Sequence, residues 1–244
     1  MTILYIAKEM GLCNRLRGLV SILAFCSRAK KDLHVLWIPN HECPYKFEDM
    51  FVIPKNTSFI SEQDKLESYD LITEDMGHLC HLLPKQGLSY TMAPLLISML
   101  TLTDHLVSLI REKSAEYNIS ECIGLHVRKT DHVQYANSIG QSTPLEEFYE
   151  LLDKNPLTPV YLACDDKSVQ EIFREKYKDR ICVFETIGND KEFRQTDGVH
   201  AVADLYLLSL CKFFKGSYAS SFSAHVAYLM ENWAMRPSEK KKFI

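Results

Sequence analysis

The run Ile123-Gly124-Leu125-His126-Val127-Arg128-Lys129-Thr130-Asp131 concentrates more reactive side chains at one place than any other part of the chain. Read as a β-strand, it has side chains that alternate in direction, so His126, Arg128 and Thr130 share one face at the carboxyl end. An arginine there offers a bidentate fork to phosphate oxygens, and the neighbouring histidine adds a hydrogen-bond donor. By pattern alone the run also reads as an edge strand with solvated charges. Asp165 and Asp166 follow the apolar run Val160-Tyr161-Leu162-Ala163, so they stand at the top of the next strand, where carboxylates accept hydrogen bonds from a sugar or a base. Asp166 reads equally well as the N-cap of the helix that follows.

Three further places hold polar groups at element ends or inside apolar elements. Asp204 lies within the apolar helix Ala201 to Cys211. A buried carboxylate costs stability unless paired, which points to a functional role or to an exposed helix position. Ser220 and Ser221 lead into the last helix, where hydroxyls and backbone amides at the positive end form a seat for phosphate or a plain serine cap. Near the N-terminus, Gly11-Leu12-Cys13-Asn14-Arg15-Leu16 makes a glycine-containing turn between the first strand and a helix. The full GxGxxG fingerprint is absent, as are GxxxxGK[ST] and GxSxG, so neither a standard dinucleotide enzyme, a P-loop NTPase nor an α/β-hydrolase is indicated.

Alternating short apolar runs and amphipathic stretches must position these groups. Strands are expected at Ile3 to Ala7, Leu33 to Ile38, Ser58 to Ile60 and Tyr69 to Ile72, with a helix capped by Asn14 and running to about Lys31. A helix from about Pro94 to Tyr117 leads to Asn118-Ile119-Ser120, the expected boundary between a lobe spanning 1–118 and a lobe spanning 119–244. Beyond it, strands at Cys122 to Val127, Val160 to Ala163, Ile181 to Glu185 and Phe213 to Gly216 interleave with helices at Pro144 to Leu152, Ser168 to Tyr177, Gly198 to Cys211 and Ser221 to Trp233. This alternation is the signature of a doubly wound parallel sheet.

Composition narrows the class of protein. The 244 residues are 46% hydrophobic and 25% charged with net charge −4, which suits a globular domain and offers no basic stripe for nucleic acid. Leu19 to Phe25 and Ala93 to Leu102 fall short of the roughly 20 apolar residues of a membrane span. The apolar start reads as a first strand and not a signal peptide, so a soluble cytoplasmic protein is expected. The eight cysteines are scattered through apolar segments and are expected to be thiols. His78, Cys80 and His81 lack a CxxC partner, so no metal site is expected.

Taken in order, these segments resemble the fucosyltransferase superfamily that uses GDP-fucose, most closely the α1,6-fucosyltransferases. IGLHVRKTDHV, residues 123–133, is similar to the family's basic donor motif in its HVRxTD form. VYLACDDKS, residues 160–168, is similar to its strand ending in paired acids, and AVADLYLLS (201–209) with SSFSAHVAYLM (220–230) to its last helices. GLCNRL resembles the family's Gly-x-Gly loop, with Cys13 where the second glycine is usual. The resemblance implies an α/β fold of the GT-B-like type, two Rossmann-type lobes facing across a cleft, with acceptor side in 1–118 and donor side in 119–244. It also implies an inverting, metal-independent transfer of fucose from GDP-fucose to a glycan hydroxyl, with no cofactor.

By position, the resemblance implies that Arg128 holds the β-phosphate, assisted by Ser221 or Ser220. His126 and Asp204 would contact the nucleotide, Asp165 and Asp166 would shape the donor site, and Gly11, Asn14 and Arg15 would approach the pyrophosphate. The family's proposed basic glutamate, shortly after HVRxTD, has no counterpart in Val133-Gln134-Tyr135-Ala136-Asn137. Asp131, His132 or a residue of the N-terminal lobe is the expected substitute, with Asp131 taken as the catalytic candidate. Two alternatives are a transferase of another nucleotide-activated deoxy-sugar such as rhamnose and a catalytically silent nucleotide-binding relative.

Overall fold

A strand with apolar residues on both sides belongs in the middle of a covered parallel sheet, and β1 (Thr2–Ala7), buried from Ile3 onward, has that place. In the computed structural model it pairs in parallel with β2 (Asp32–Trp37) on one side and β4 (Leu71–Thr73) on the other; β3 (Thr57–Phe59) extends the sheet beyond β2. The structure describes residues 2–7, 10–60, 69, 71–73, 100–129, 132–184, 196–235 and 237–244. The chain divides into two units, Met1–Thr103 and Asp104–Ile244.

In the first unit, α1 (Leu12–Ala29) begins one turn earlier than the sequence reading places it. Gly11 is the N-cap, and its carbonyl accepts from the N–H groups of Asn14 and Arg15, so Asn14 lies inside the first turn and does not cap. The helix ends at Lys30, whose left-handed backbone turns its N–H back to the Cys26 carbonyl. A Cβ at Gly18 would overlap the Tyr5 ring, so this glycine is what lets the helix lie close on β1. Leu4, Ile6 and Leu36 pack together with Ile38, Ile60 and Tyr69.

The second unit repeats the strand order. β5 (Ile123–Val127) lies between β6 (Val160–Cys164) and β8 (Phe213–Gly216), with β7 (Ile181–Cys182) outside β6 and every pairing parallel. Side chains divide by the period of two. Leu125, Val127, Leu162 and Cys164 join a core with Phe148 and Leu152 of α4 (Leu145–Asp153) and Val169 and Phe173 of α5 (Lys167–Tyr177). The alternate positions turn toward α6 (Gly198–Leu210) and α7 (Ser221–Met235): a Cβ at Gly124 would meet Leu208 and Cys211, and Tyr161 reaches Asp204.

Among the described residues the remaining α-helices are α2 (Asp104–Glu116), α3 (His132–Ser138) and α8 (Pro237–Lys240). The α2 helix starts later than the expected Pro94, because Thr101 and Thr103 hydrogen-bond with Val52 and Met50 in extended backbone. It packs on α6, so the second unit begins at Asp104, upstream of the boundary read at Asn118–Ser120. The α3 helix stands where the sequence reading has no element. Among the described residues no helix is long and apolar enough to cross a membrane, and no group of three or more His, Cys, Asp or Glu side chains is placed to hold a metal ion.

Candidate functional site

The carboxyl ends of β5, β6 and β8 meet at a polar cluster built around Arg128. Asp165, one residue past β6 and 7% exposed, uses both carboxylate oxygens there. Its Oδ2 lies 3.1 Å from Arg128 Nε, and its Oδ1 accepts from the Lys129 N–H at 2.8 Å. One acid thus fixes the exit of the neighbouring strand and aligns its arginine. From the other side Ser217, just past β8, accepts from the Arg128 N–H at 2.9 Å and donates to the His126 carbonyl at 3.2 Å, while its own N–H donates to that carbonyl at 3.0 Å. Arg128 keeps 19% side-chain exposure, so the cation is gripped but still reaches solvent.

The N-terminus of α7 closes the cluster. Ser220, buried at its cap, accepts from the Ser223 N–H at 3.4 Å, and Ser221 opens the helix. Ser223 Oγ shares a 2.8 Å hydrogen bond with His126 Nδ1, and Phe222 stacks on the imidazole with centroids 4.5 Å apart. A Cβ at Gly216 would overlap the Ser223 side chain, so the absence of a side chain on β8 is what allows this bond. A braced guanidinium, the adjacent Lys129 and a helix N-terminus together favour an anion with several oxygens.

Asp204 belongs to a second group. It accepts from the Tyr161 hydroxyl at 2.5 Å, and burial pushes its carboxyl up to about 7. Burial, with the adjoining carboxylate, also holds the Tyr161 hydroxyl well above its usual range. At the start of α6, Asp197 caps the helix through the His200 N–H at 2.8 Å and bonds the imidazole at 2.6 Å; that bond raises His200, whose ring lies against Phe184.

Asp166 caps α5, accepting from the Ser168 and Val169 N–H groups at 2.9 and 3.3 Å and from the Ser168 hydroxyl at 2.6 Å. In the first unit Arg15 is fully buried, donates to the Met10 and Ile38 carbonyls at 2.7 and 2.6 Å and lies over the Trp37 ring. It ties the turn before α1 to the end of β2. The structure therefore brings His126, Arg128, Asp165, Ser220 and Ser221 together, sets Asp204 on Tyr161 and Asp166 on its helix, and puts Gly11, Asn14 and Arg15 in the first unit. Thr130, Asp131, His78, Cys80, His81 and Glu185 lie outside the described residues.

Ser217 and Thr143 are members of the cluster that sequence reasoning missed, and Lys129 and Ser223 lay in runs that it read without giving them a role. Thr143, buried before α4, accepts from the Tyr218 N–H at 2.7 Å through Oγ1, and its carbonyl accepts from Lys129 Nζ at 3.3 Å. Ser217 and Ser223 lie in the same serine-rich stretch as Ser220 and Ser221, and that enrichment is the signal that could have found them. Nothing in the sequence distinguishes Thr143.

No family model matches the sequence, and no curated protein matches it. Solved structures match its fold. A NodZ α1,6-fucosyltransferase co-crystallised with GDP is similar at 14% identity over 92% of this chain and 91% of that one, with a TM-score of 0.63. The fucosyltransferase NodZ from Bradyrhizobium matches at 15% identity over 92% and 91%, with a TM-score of 0.62. POFUT1 in complex with GDP-fucose matches at 13% identity over 93% and 94%, with a TM-score of 0.61. The fold is that of these enzymes, the GT-B class expected from the sequence.

Proposed function

We propose that this chain transfers fucose from GDP-fucose to a hydroxyl group of a glycan, with inversion at the anomeric carbon and without a metal. The observation that carries this reading is Arg128, braced by Asp165 beside the N-terminus of α7, in a fold shared with structures that hold GDP or GDP-fucose.

In such a transfer the bond between the anomeric carbon and the diphosphate oxygen breaks, and its electron pair leaves on GDP. Positive charge grows on the sugar ring and negative charge on the β-phosphate. A cation already fixed at that phosphate stabilises the transition state without reorganising, and Arg128 is assigned this role, with Lys129 and the amides at Ser220 and Ser221 assisting. His126 and Asp204 are assigned to the nucleotide. The acceptor hydroxyl attacks from the face opposite GDP and passes its proton to a base, for which Asp131, three residues beyond Arg128, is the candidate.

The test is a thermal-shift series in EDTA with GDP, GDP-fucose, UDP and dTDP, followed by GDP-fucose turnover. A nucleotide at about 100 times its Kd adds about 2.7 kcal/mol to the stability of the folded state, a shift of several degrees in Tm. GDP and GDP-fucose are expected to raise Tm, and UDP and dTDP to leave it unchanged. Stabilisation by UDP or dTDP alone would assign another nucleotide sugar. GDP binding with no release of fucose or transfer to a glycan would leave a silent relative.

A further inference from the structure

Beyond the donor cluster, the edge of the second sheet carries a group of side chains that none of the bonds described above uses. Tyr218 follows Ser217, the residue that holds the Arg128 N–H, and its own N–H is fixed by Thr143. Tyr218 is 53% exposed. The hydroxyl lies 3.5 Å from Glu147 Oε2, and the same oxygen accepts from Lys215 Nζ at 2.7 Å. The Lys215 ammonium stands 5.7 Å from the Tyr218 ring centroid. Lys215 lies on β8, the edge strand, and Glu147 in the first turn of α4.

An exposed aromatic ring with a carboxylate at its hydroxyl edge, an ammonium over one face and the other face left for stacking has the composition of a sugar-binding surface. The electron-rich ring face attracts the partly positive C–H groups of a pyranose, while the carboxylate accepts from its hydroxyls and the ammonium donates to them. The ring is presented on a short turn, with Ala219 held at φ 54, and its backbone is pinned on both sides, so little ordering is needed when a ligand stacks on it. The position relative to Arg128 gives direction. Asp165 and the β6 side lie on one flank of the arginine, and Ser217, Tyr218 and the open sheet edge on the other.

We infer that Tyr218, Glu147 and Lys215 form an acceptor subsite for a neutral pyranose of the glycan, on the α4 face of the sheet and next along the chain from Ser217, which holds the Arg128 N–H. The inference rests on the glycosyltransferase reading and deepens it. Tyr218 is the platform, and Glu147 and Lys215 are positioning groups for the sugar hydroxyls.

The test uses the full chain. GDP affinity is measured by calorimetry for wild type, Tyr218→Ala, Tyr218→Phe and Glu147→Gln, and the GDP-loaded proteins are then applied to an array of immobilised neutral glycans. The wild type is expected to be retained, with apparent affinity falling about tenfold in Tyr218→Ala and about threefold in Glu147→Gln. Tyr218→Phe keeps the ring and is expected to bind within about twofold of wild type, as is GDP to every variant. Equal retention of Tyr218→Ala and wild type, or no retention of GDP-loaded wild type on any glycan, would overturn the inference. Failure of the wild type to bind GDP would instead defeat the transferase reading. Retention without GDP that is lost in Tyr218→Ala would leave the sugar subsite standing on its own.

Discussion

Both sheets have the same strand order, and an arginine follows the first strand of each. In the first unit Arg15 has no exposure; its Nε and one terminal nitrogen donate to the backbone carbonyls of Met10 and Ile38, and its guanidinium covers Trp37. In the second unit Arg128 is partly exposed and meets a carboxylate, Asp165, through Nε. A cation that donates inward to carbonyls holds a turn together. A cation braced by an acid on its stem side is aimed, because the acid orients the guanidinium and lowers the cost of keeping it partly dry. The same residue type, after the first strand of each sheet, is tied to backbone carbonyls in one unit and held by a carboxylate with its side chain still reaching solvent in the other.

The largest effect separates the two arginines by activity. Arg128→Ala is expected to lower kcat/KM for GDP-fucose turnover by about 10²–10³-fold with Tm changed by only a few degrees, since it removes charge stabilisation from the leaving group. Turnover assays and a melting curve on the same protein check both halves. The reverse holds for Arg15→Met, which leaves the Met10 and Ile38 carbonyls without their donor and is expected to cost about 3 kcal/mol in denaturant unfolding. A stable Arg15→Met protein that has lost GDP affinity would invert the comparison.

Asp204 sharpens it with pH. Its folded-state pKa is raised to about 7 from an ordinary 3.8 because burial disfavours the charge, so the folded chain keeps a proton that the unfolded chain has released. That contribution to stability is complete below the lower value, declines as pH rises toward 7 and changes no further above it. Asp204→Asn has no such proton to lose. Its stability relative to wild type is therefore expected to rise by about 2 kcal/mol between pH 5 and pH 7.5, as read from paired unfolding curves. The smallest effect belongs to Asp166→Ala, which removes the α5 cap and is expected to cost about 1 kcal/mol and leave GDP affinity unchanged.

Every strand of the second sheet coincides with a run read from the sequence, β6 reaching one residue further to Cys164, because short apolar stretches flanked by turn residues leave few other readings. Helices whose apolar face is covered, such as α6 and α7, were legible for the same reason. The α3 helix was not: His132-Val133-Gln134-Tyr135-Ala136-Asn137-Ser138 is short and polar, and Tyr135 is exposed, so no apolar stripe marks it. Of the site, Arg128, His126 and Asp165 were visible as polar groups ending apolar strands. Ser217 was not, because its contribution depends on the register that sets it against the backbone of His126 and Arg128. The surroundings of Arg15 were hidden for a related reason. The hydrogen bonds described for it go to main-chain carbonyls, which carry no side-chain signature, so a buried clamp and an arginine held by a carboxylate look alike in the sequence.

Arg128 is proposed as the group that meets the second phosphate of the nucleotide. Calorimetric titration of GDP and GMP into wild type and Arg128→Ala, in EDTA, tests this most directly. The predicted result is that wild type prefers GDP over GMP by about tenfold or more and that the preference disappears in Arg128→Ala. An undiminished preference for GDP in Arg128→Ala would contradict the assignment and place the diphosphate elsewhere.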